Sequence, residues 1–114
     1  MVVIEIIESR LKLLTEYRND LGEYEGIKLS EYRKDKKVQR FVERTLQLAI
    51  ESCIDIASHI ISAESFREAR DNKDLFIILN EQGIVSSKLL PAMIDMCKFR
   101  NIIVHDYTRI DPEF

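Results

Sequence analysis

The sequence is poor in the residues that interrupt regular structure. Its 114 residues include 3 glycines, 2 prolines and no tryptophan. So few turn formers argue against the many turns of a β-sandwich or barrel, and they leave no glycine-rich phosphate loop. Long helices are therefore predicted. The length suits one domain, which we assign to residues 1–114.

Long hydrophobic runs are also missing. The longest uninterrupted apolar stretch is residues 75–79, whereas a membrane-spanning helix needs about 18 such residues. The apolar start, Val2 to Ile4, meets Glu5 at once and has no basic region before it, unlike a secretion signal. Hydrophobic residues make up 46% of the chain and charged residues 32%, as in ordinary soluble domains. We expect a soluble, cytoplasmic protein without a membrane segment.

Metal-binding residue types are scarce. The only cysteines are Cys53 and Cys97, and the only histidines are His59 and His105. The cysteines lie in apolar helical patterns and form no close pair of the C-x-x-C type. We therefore predict buried thiols, no metal site and no cofactor.

Hydrophobic periodicity predicts an all-α, antiparallel up-and-down bundle of four main helices. The predicted helices span about 4–24, 36–63, 71–82 and 86–106. The second is apolar around most of its circumference, so we place it at the centre. In so small a domain, a helix of this kind either sits among its neighbours or lends a face to another copy of the chain.

Short signals mark the helix ends. Asp71 is a candidate N-cap for the third helix, and Gly83 is its candidate terminator. Gly26 is a plausible C-terminal cap of the first helix, and Pro91 should lie in or just past the first turn of the fourth. Residues 111–113, Asp-Pro-Glu, read as the opening of a further helix.

Polar residues interrupt the last apolar helix between Phe99 and Tyr107. On an ideal helix, with about 100° per residue, Arg100 and Tyr107 share one face, while Asn101 and His105 share another. Arg100 and His105 diverge by about 140° on the same count. A bend, a helix end at this point or a second copy of the chain would be needed to bring them together.

Two interpretations of these residues are open. In the structural one, Arg100 pairs with an acid such as Glu43, Asn101 bonds to backbone and His105 is a boundary residue. In the chemical one, a histidine exchanges protons near neutral pH and an arginine holds phosphoryl charge, which suits phosphodiester cleavage. In RNA the ribose 2′-hydroxyl can attack the adjacent phosphate without a metal.

Two segments of the chain resemble a known family. The run Phe-Arg-Asn-x-x-Val-His-x-Tyr at residues 99–107 resembles the signature of HepT-like toxins, a branch of the HEPN superfamily. Residues 42–61, which begin Val-Glu-Arg-Thr-Leu, are similar to the central helix of that family. An arginine–histidine spacing alone is weak evidence for a family, but two matched segments in the right order are strong evidence. The resemblance covers about residues 38–113.

The resemblance implies an all-helical homodimer in which the motifs meet in a cleft between protomers. It also implies a metal-independent ribonuclease, the toxin of a toxin–antitoxin pair whose partner is a small nucleotidyltransferase. By position, Arg100 and His105 would be catalytic and Asn101 supportive. Tyr107 would accept AMP from the partner, and this modification would block the activity.

The chain is acidic overall, with a net charge of −3, but its basic residues cluster. Residues 33–44 hold six basic and two acidic residues, a surplus of +4, so the remainder carries −7. Three of the basic residues fall four apart on one helical stripe: Lys36, Arg40 and Arg44. This stripe is either a track that contacts RNA phosphates or a solvated face. Glu43 and Arg44 also match the family's Glu-Arg pair, which would orient Arg100 or stabilise the bundle.

Two rival functions belong to other classes. The chief rival is a non-catalytic helical module that docks a nucleotidyltransferase or binds a nucleotide. In it Arg100 would bind phosphate, and RNA would not be cleaved. The other is a purely structural dimerising bundle, which would tolerate the loss of Arg100 and His105.

Overall fold

The computed structural model describes residues 2–106, and the side chains of residues 4–105. This part of the chain is helical and contains no strand, which confirms the predicted all-α class. The five helices are α1 (Val2–Gly22), α2 (Leu29–Lys34), α3 (Lys36–Ala63), α4 (Asn72–Glu81) and α5 (Leu90–Asp106). Four of them are the predicted main helices. The short α2 was not predicted, because its sequence reads as a charged connection.

The central helix, α3, begins and ends where the sequence predicts. The side chain of Asp35 accepts hydrogen bonds from the backbone N–H groups of Lys37 and Val38, both at 3.1 Å. These bonds satisfy donors that the first turn of a helix otherwise leaves without partners. An aspartate directly before the basic run therefore fixes the start of α3.

Both ends of α4 follow local rules. The Asp71 carboxylate accepts from the backbone N–H of Asp74 at 2.8 Å and caps the first turn, as predicted. Gly83 has a φ of +75°, a conformation that glycine adopts at little cost. The next N–H, that of Ile84, donates to the carbonyl of Leu79 at 2.8 Å. This bond is the hallmark of a glycine-terminated helix and confirms the predicted end.

The predicted start of the last helix was wrong by about four residues. Residues 86–89 form a turn that leads into the helix: the Leu89 N–H lies 3.2 Å from the Ser86 hydroxyl oxygen, and the Leu90 N–H donates to the Ser86 carbonyl at 3.0 Å. The helix α5 then begins at Leu90. Pro91 is its second residue and lies in the first turn, as expected. Proline is tolerated there because an N–H group at that position would have no acceptor within the helix.

The first helix also ends earlier than predicted. α1 stops at Gly22, and a turn over residues 23–26 follows it. Gly26, with a φ of +87°, lies at the end of this turn rather than at the end of the helix.

α1 packs on α3 in the antiparallel direction. Near its start, Arg10 Nε lies 3.3 Å from Asp55 Oδ2, and beyond its end the rings of Tyr24 and Phe41 have centroids 5.5 Å apart. Among the residues that the structure describes, α1 contacts no helix other than α3, and none of its side chains is fully buried. One flank therefore faces outward, with Ile4 61% and Leu11 50% exposed.

The hydrophobic core lies between α3, α4 and α5. Its buried residues are Ala57, Ile61, Leu75, Phe76, Ile78, Leu79 and Cys97. Cys97 is buried as predicted, and burial raises the pKa of its thiol to about 11. Cys53, on the facing side of α3, is half-buried, and both thiols are free. The Cys97 thiol is therefore a packing group rather than a reactive one.

The loop between α3 and α4 is held down by one arginine. Arg67 donates to both carboxylate oxygens of Asp74, at 2.8 and 2.9 Å, and to Glu81 at 3.0 Å. Asp74 is only 3% exposed, and the hydrogen bonds from Arg67 hold the pKa of its carboxyl well below its usual range. The bidentate geometry fixes residues 64–71 against α4.

One described helix, α3, is long and apolar enough to cross a membrane by length and composition alone. In this fold α1, α2, α4 and α5 all pack against it. These contacts bury only 22% of its most apolar 18-residue segment, so much of the helix surface stays uncovered by the described residues.

Candidate functional site

The motif residues that are described lie on the second half of α5. Arg100 is half-buried, while Asn101 and His105 are exposed. Tyr107 and residues 111–113 lie outside the described residues, so the predictions made for them remain predictions. The described part of the motif thus consists of one side chain held against the bundle and two that face outward.

Arg100 faces the central helix. Its Nη2 lies 3.6 Å from Glu51 Oε1, and its Nη1 donates to Asn101 Oδ1 at 3.4 Å. Its Nε is buried and has no hydrogen-bond partner among the described residues. A buried donor without an acceptor is uncommon in folded proteins and calls for an explanation. The guanidinium is therefore anchored along one edge and keeps an unused donor.

The acid beside Arg100 is not the one that the sequence suggested. The structural interpretation paired Arg100 with an acid such as Glu43, whereas the structure pairs it with Glu51, eight residues further along α3. Gln47 Nε2 donates to the same Glu51 oxygen at 3.3 Å. The structural interpretation also gave Asn101 a bond to backbone, whereas in the structure its side-chain oxygen accepts from Arg100.

Sequence reasoning missed Gln47 and Glu51 as parts of the site. A signal was available, because the two are four residues apart on a helix that is otherwise largely apolar. Polar side chains at that spacing share one face of the helix, and the structure shows that this face meets Arg100. The sequence alone did not reveal that the partner was Arg100.

The register of α5 against α3 explains the choice of Glu51. Arg100 lies beside Glu51, and Cys97, one turn earlier on α5, is close enough to Cys53 for the thiols to interact electrostatically. Positions that advance along α5 thus retreat along α3, so the two helices are antiparallel. In this register the motif half of α5 faces the middle of α3, whereas Glu43 lies nearer to its start.

A single chain does not gather Arg100 and His105 into one cleft. α5 is continuous from Leu90 to Asp106, so no helix break separates the two residues. Five helical positions place their side chains about 140° apart and about 7.5 Å apart along the axis. Arg100 faces α3 while His105 is exposed. Within the described residues, α5 therefore does not direct the two side chains into one cleft.

Glu43 lies near Tyr32 of α2. Burial raises the pKa of Glu43, and the positive charge of Arg40 partly offsets this. Burial, and secondarily the charge of Glu43, raises the pKa of Tyr32. Of the two roles left open for Glu43, these surroundings favour stabilisation of the bundle where α2 meets α3.

The predicted basic stripe is accessible. Lys36, Arg40 and Arg44 are all exposed on the first half of α3. Exposed cations four residues apart can meet successive phosphates, and they fit a solvated face equally well. Within residues 4–105, no group of three or more His, Cys, Asp or Glu side chains is arranged to hold a metal ion.

Known proteins share both the sequence and the fold. Residues 4–114 match the family described as Ribonuclease HepT-like. The chain is 36% identical over 107 residues to the tRNA nuclease HepT of Aphanizomenon flos-aquae, a match that covers 94% of this chain and 73% of that protein. It is 32% identical over 82 residues to the mRNA nuclease HepT of Shewanella oneidensis, covering 72% of this chain and 62% of that protein. The chain thus spans less than two thirds of the second relative.

A solved structure shows the same fold in a complex. It is the tri-AMPylated Shewanella oneidensis HEPN toxin in complex with an MNT antitoxin. The likeness has a TM-score of 0.75 at 26% identity, and it covers 98% of this chain and 80% of that chain. The helical arrangement described above is therefore that of a toxin whose complex with its antitoxin is known.

Proposed function

The chain belongs to the ribonuclease HepT-like family, and we propose from this membership that it is an RNA endonuclease, the toxin of a toxin–antitoxin pair. The observation that carries the proposal is the arrangement of the family motif on α5. Arg100 is anchored by Glu51, and His105 is exposed five residues later. The two relatives named above cleave tRNA and mRNA respectively, so RNA is the substrate class.

The proposed reaction is a transesterification at phosphorus. The ribose 2′-oxygen forms a bond to the adjacent phosphorus, and the bond from phosphorus to the 5′-oxygen breaks. The 2′-hydroxyl loses a proton to a base, and the leaving 5′-oxygen gains one from an acid, so the products are a 2′,3′-cyclic phosphate and a 5′-hydroxyl. His105 moves one of these protons. Arg100 stabilises the negative charge of the pentacovalent phosphate, and no metal is required.

The surroundings of Arg100 suit this role. Its contacts with Glu51 and Asn101, at 3.6 and 3.4 Å, are at the long end for charged pairs. Together they orient the guanidinium, and the unused Nε is a donor for a phosphate oxygen once the side chain shifts toward substrate. Asn101 thereby has a supporting role.

A homodimer would bring an arginine and a histidine of the motif together in one site. Because Arg100 and His105 of one chain diverge around α5, the proposed site combines groups from two copies. Exposed apolar side chains are available for the interface: Ile4, Leu11, Phe41 and Val104. Val104 is 38% exposed and directly precedes His105, so an interface there would border the site.

The proposed antitoxin is a nucleotidyltransferase of the MNT type. It transfers AMP from ATP to the Tyr107 hydroxyl, forming a phosphodiester to the tyrosine oxygen and releasing pyrophosphate. Tyr107 follows His105 by two residues, so the added nucleotide would place bulk and negative charge where RNA phosphate must bind. The Shewanella toxin with the same fold is AMPylated in its complex. The proposed location is the cytoplasm, where RNA is available.

Basic residues outside the motif complete the proposed site. Lys36, Arg40 and Arg44 contact RNA phosphates and steer the substrate toward the dimer. Glu43 supports the start of α3 rather than the guanidinium. Arg44 thus serves in RNA binding, although it was also a candidate partner in a Glu-Arg pair.

The decisive experiment is RNA cleavage in the presence of chelator. We expect the purified protein to cleave RNA and His105→Ala to lose about 100- to 10,000-fold in rate. His59→Ala is the matched control, because His59 is the only other histidine and lies half-buried on α3. Far-UV circular dichroism should show equal helicity in all three proteins. Cleavage at an equal rate by His105→Ala would remove His105 from the mechanism, and no cleavage by any of them would favour the non-catalytic binding module.

A further inference from the structure

A groove outside the motif lies between the start of α4 and the middle of α5. It has a volume of about 380 Å³. Its lining consists of two lysines, one arginine, two aspartates and two isoleucines: Lys73, Lys98, Arg70, Asp71, Asp74, Ile77 and Ile94. Neither Arg100 nor His105 lines it, so the proposed chemistry leaves this groove unexplained.

The two carboxylates in the groove are already engaged. Asp74 accepts from Arg67 at 2.8 and 2.9 Å and from the Arg70 backbone N–H at 3.0 Å. Asp71 caps α4 through its bond to the Asp74 N–H. Among residues 4–105, no carboxylate forms an ion pair with Lys73 or Lys98. The polar groups that remain free to bind a ligand in the groove are thus mainly ammonium groups.

Lys73 is placed against the electrostatic preference of its helix. It is the second residue of α4, where the N-terminal dipole favours negative charge and disfavours positive charge. Without an ion-pair partner, its ammonium group makes no evident contribution to stability. The ammonium group of Lys73 is therefore available to a negatively charged ligand in the groove.

Lys98 connects the groove to the motif. It lies seven residues before His105 on α5, so the two share a helical stripe within about 20° and are about 10.5 Å apart along the axis. Both are exposed. A stacked strand advances about 3.4 Å per nucleotide, so this separation corresponds to about three nucleotides.

The groove also borders the other motif residue. Burial and the charge of Asp71 raise the pKa of Cys97, while Arg100 and Lys73 act in the opposite direction on it. Arg100 of α5 and Lys73 of α4 therefore flank the same buried thiol. The groove and the motif thus lie on either side of Cys97.

We propose that Lys73 and Lys98 form a phosphate-binding subsite that holds the RNA strand about three nucleotides from the scissile bond. This subsite rests on the proposed ribonuclease function and assigns it an RNA contact outside the motif. The contact is to phosphate rather than to a base, so it strengthens binding uniformly across RNA sequences.

The test measures binding of single-stranded 2′-O-methyl RNA, which lacks the attacking hydroxyl, by fluorescence anisotropy. Binding is followed from about 50 to 200 mM salt for the unmodified protein and for Lys73→Gln combined with Lys98→Gln. We expect the double variant to bind about tenfold more weakly at low salt, as for the loss of charged hydrogen bonds. Its salt slope should be smaller by about 1.4, or about 0.7 for each single-strand phosphate contact.

The matched control is Lys12→Gln combined with Lys88→Gln. Both residues are exposed and lie outside the groove, and the change in net charge is the same. Equal affinity and salt slope in the two double variants would overturn the subsite and leave the ribonuclease proposal intact. The subsite would also be overturned if the Lys73 and Lys98 double variant bound RNA normally but bound an MNT-type nucleotidyltransferase more weakly. The groove would then be a contact for an acidic protein surface. If the unmodified protein neither binds nor cleaves RNA, the result refutes the proposed ribonuclease function, and with it the subsite.

Discussion

The guanidinium of Arg100 and the carboxylate of Glu51 join α5 to α3 across 3.6 Å. A second arginine, Arg10 of α1, meets Asp55 on the same central helix at 3.3 Å. The two pairs are alike in chemistry and in their dependence on α3. Only the first includes a residue of the family motif, so the second provides a matched reference for experiments on the first.

We predict that Glu51→Gln lowers kcat for RNA cleavage by about 10- to 100-fold, because a displaced guanidinium no longer meets the phosphate correctly. Asp55→Asn, which disturbs the reference pair, should leave kcat unchanged. Single-turnover kinetics separate this effect from weaker binding, which would appear in KM. Equal kcat for Glu51→Gln and the unmodified protein would show that Glu51 does not position Arg100.

For Tyr107 we predict the addition of AMP. Incubation with a cognate nucleotidyltransferase and ATP should increase the mass by one or more AMP groups, and RNA cleavage should fall in parallel, because the modification adds negative charge beside His105. Tyr107→Phe should lose the added mass at this position, whereas Tyr17→Phe should keep it. Modification of Tyr107→Phe to the same extent would refute the assignment.

The basic stripe on α3 should contribute to RNA affinity in a salt-dependent way. Arg40→Gln is expected to weaken binding at low salt and to reduce the salt slope by about 0.7. Lys28→Gln, at an exposed position outside the stripe, serves as the comparison. Identical salt titrations for both variants would identify the stripe as a solvated face.

Asp74 should govern acid stability. Hydrogen bonds from Arg67 hold its pKa below the ordinary 3.8, with further help from the Arg70 backbone N–H. A pKa that is lower in the folded state gives stability that is complete above the unfolded pKa and is lost as pH falls further. Asp74→Asn should therefore melt at a lower temperature at pH 7, and its deficit should shrink steadily below about pH 5.

The control for that experiment is Asp95→Asn. Asp95 is exposed on α5 and forms none of the described ion pairs. Its melting curve should follow that of the unmodified protein at every pH. A constant deficit of Asp74→Asn from pH 7 down to strong acid would contradict the role given to its charge.

Ile78 should be a sensitive apolar position in the core. It is fully buried at 0% exposure, so Ile78→Ala should cost about 2 to 5 kcal/mol of unfolding free energy through lost burial and a residual cavity. Ile84→Ala makes the same chemical change at a position 50% exposed and should cost less than about 0.5 kcal/mol. Urea denaturation of both variants measures the difference.

The helices themselves could be predicted because their signals are local. The start of α3 follows from Asp35, and the ends of α4 follow from Asp71 and Gly83, each acting through hydrogen bonds within a few residues. The prediction failed where the signal was ambiguous. Serines at 86 and 87 resemble caps, yet Ser86 caps the turn that leads into the helix, and α5 itself begins at Leu90.

The motif on α5 and the family it indicates could be identified from the sequence, because the order and spacing of Arg100, Asn101 and His105 do not depend on the fold. The partner of Arg100 was not legible. Both Glu43 and Glu51 lie on α3, and the choice between them depends on how far α5 slides along α3. That register is set by core packing around Cys97 and Ile78, which local periodicity does not encode.

The sequence by itself thus determined the helical class, most helix ends and the chemical groups available, because each depends on near neighbours in the chain. Only the tertiary structure decided that Glu51 anchors Arg100 and that Lys73 and Lys98 line one groove. The physical reason is that these side chains come from different helices. Their proximity arises only when α3, α4 and α5 bury a shared core.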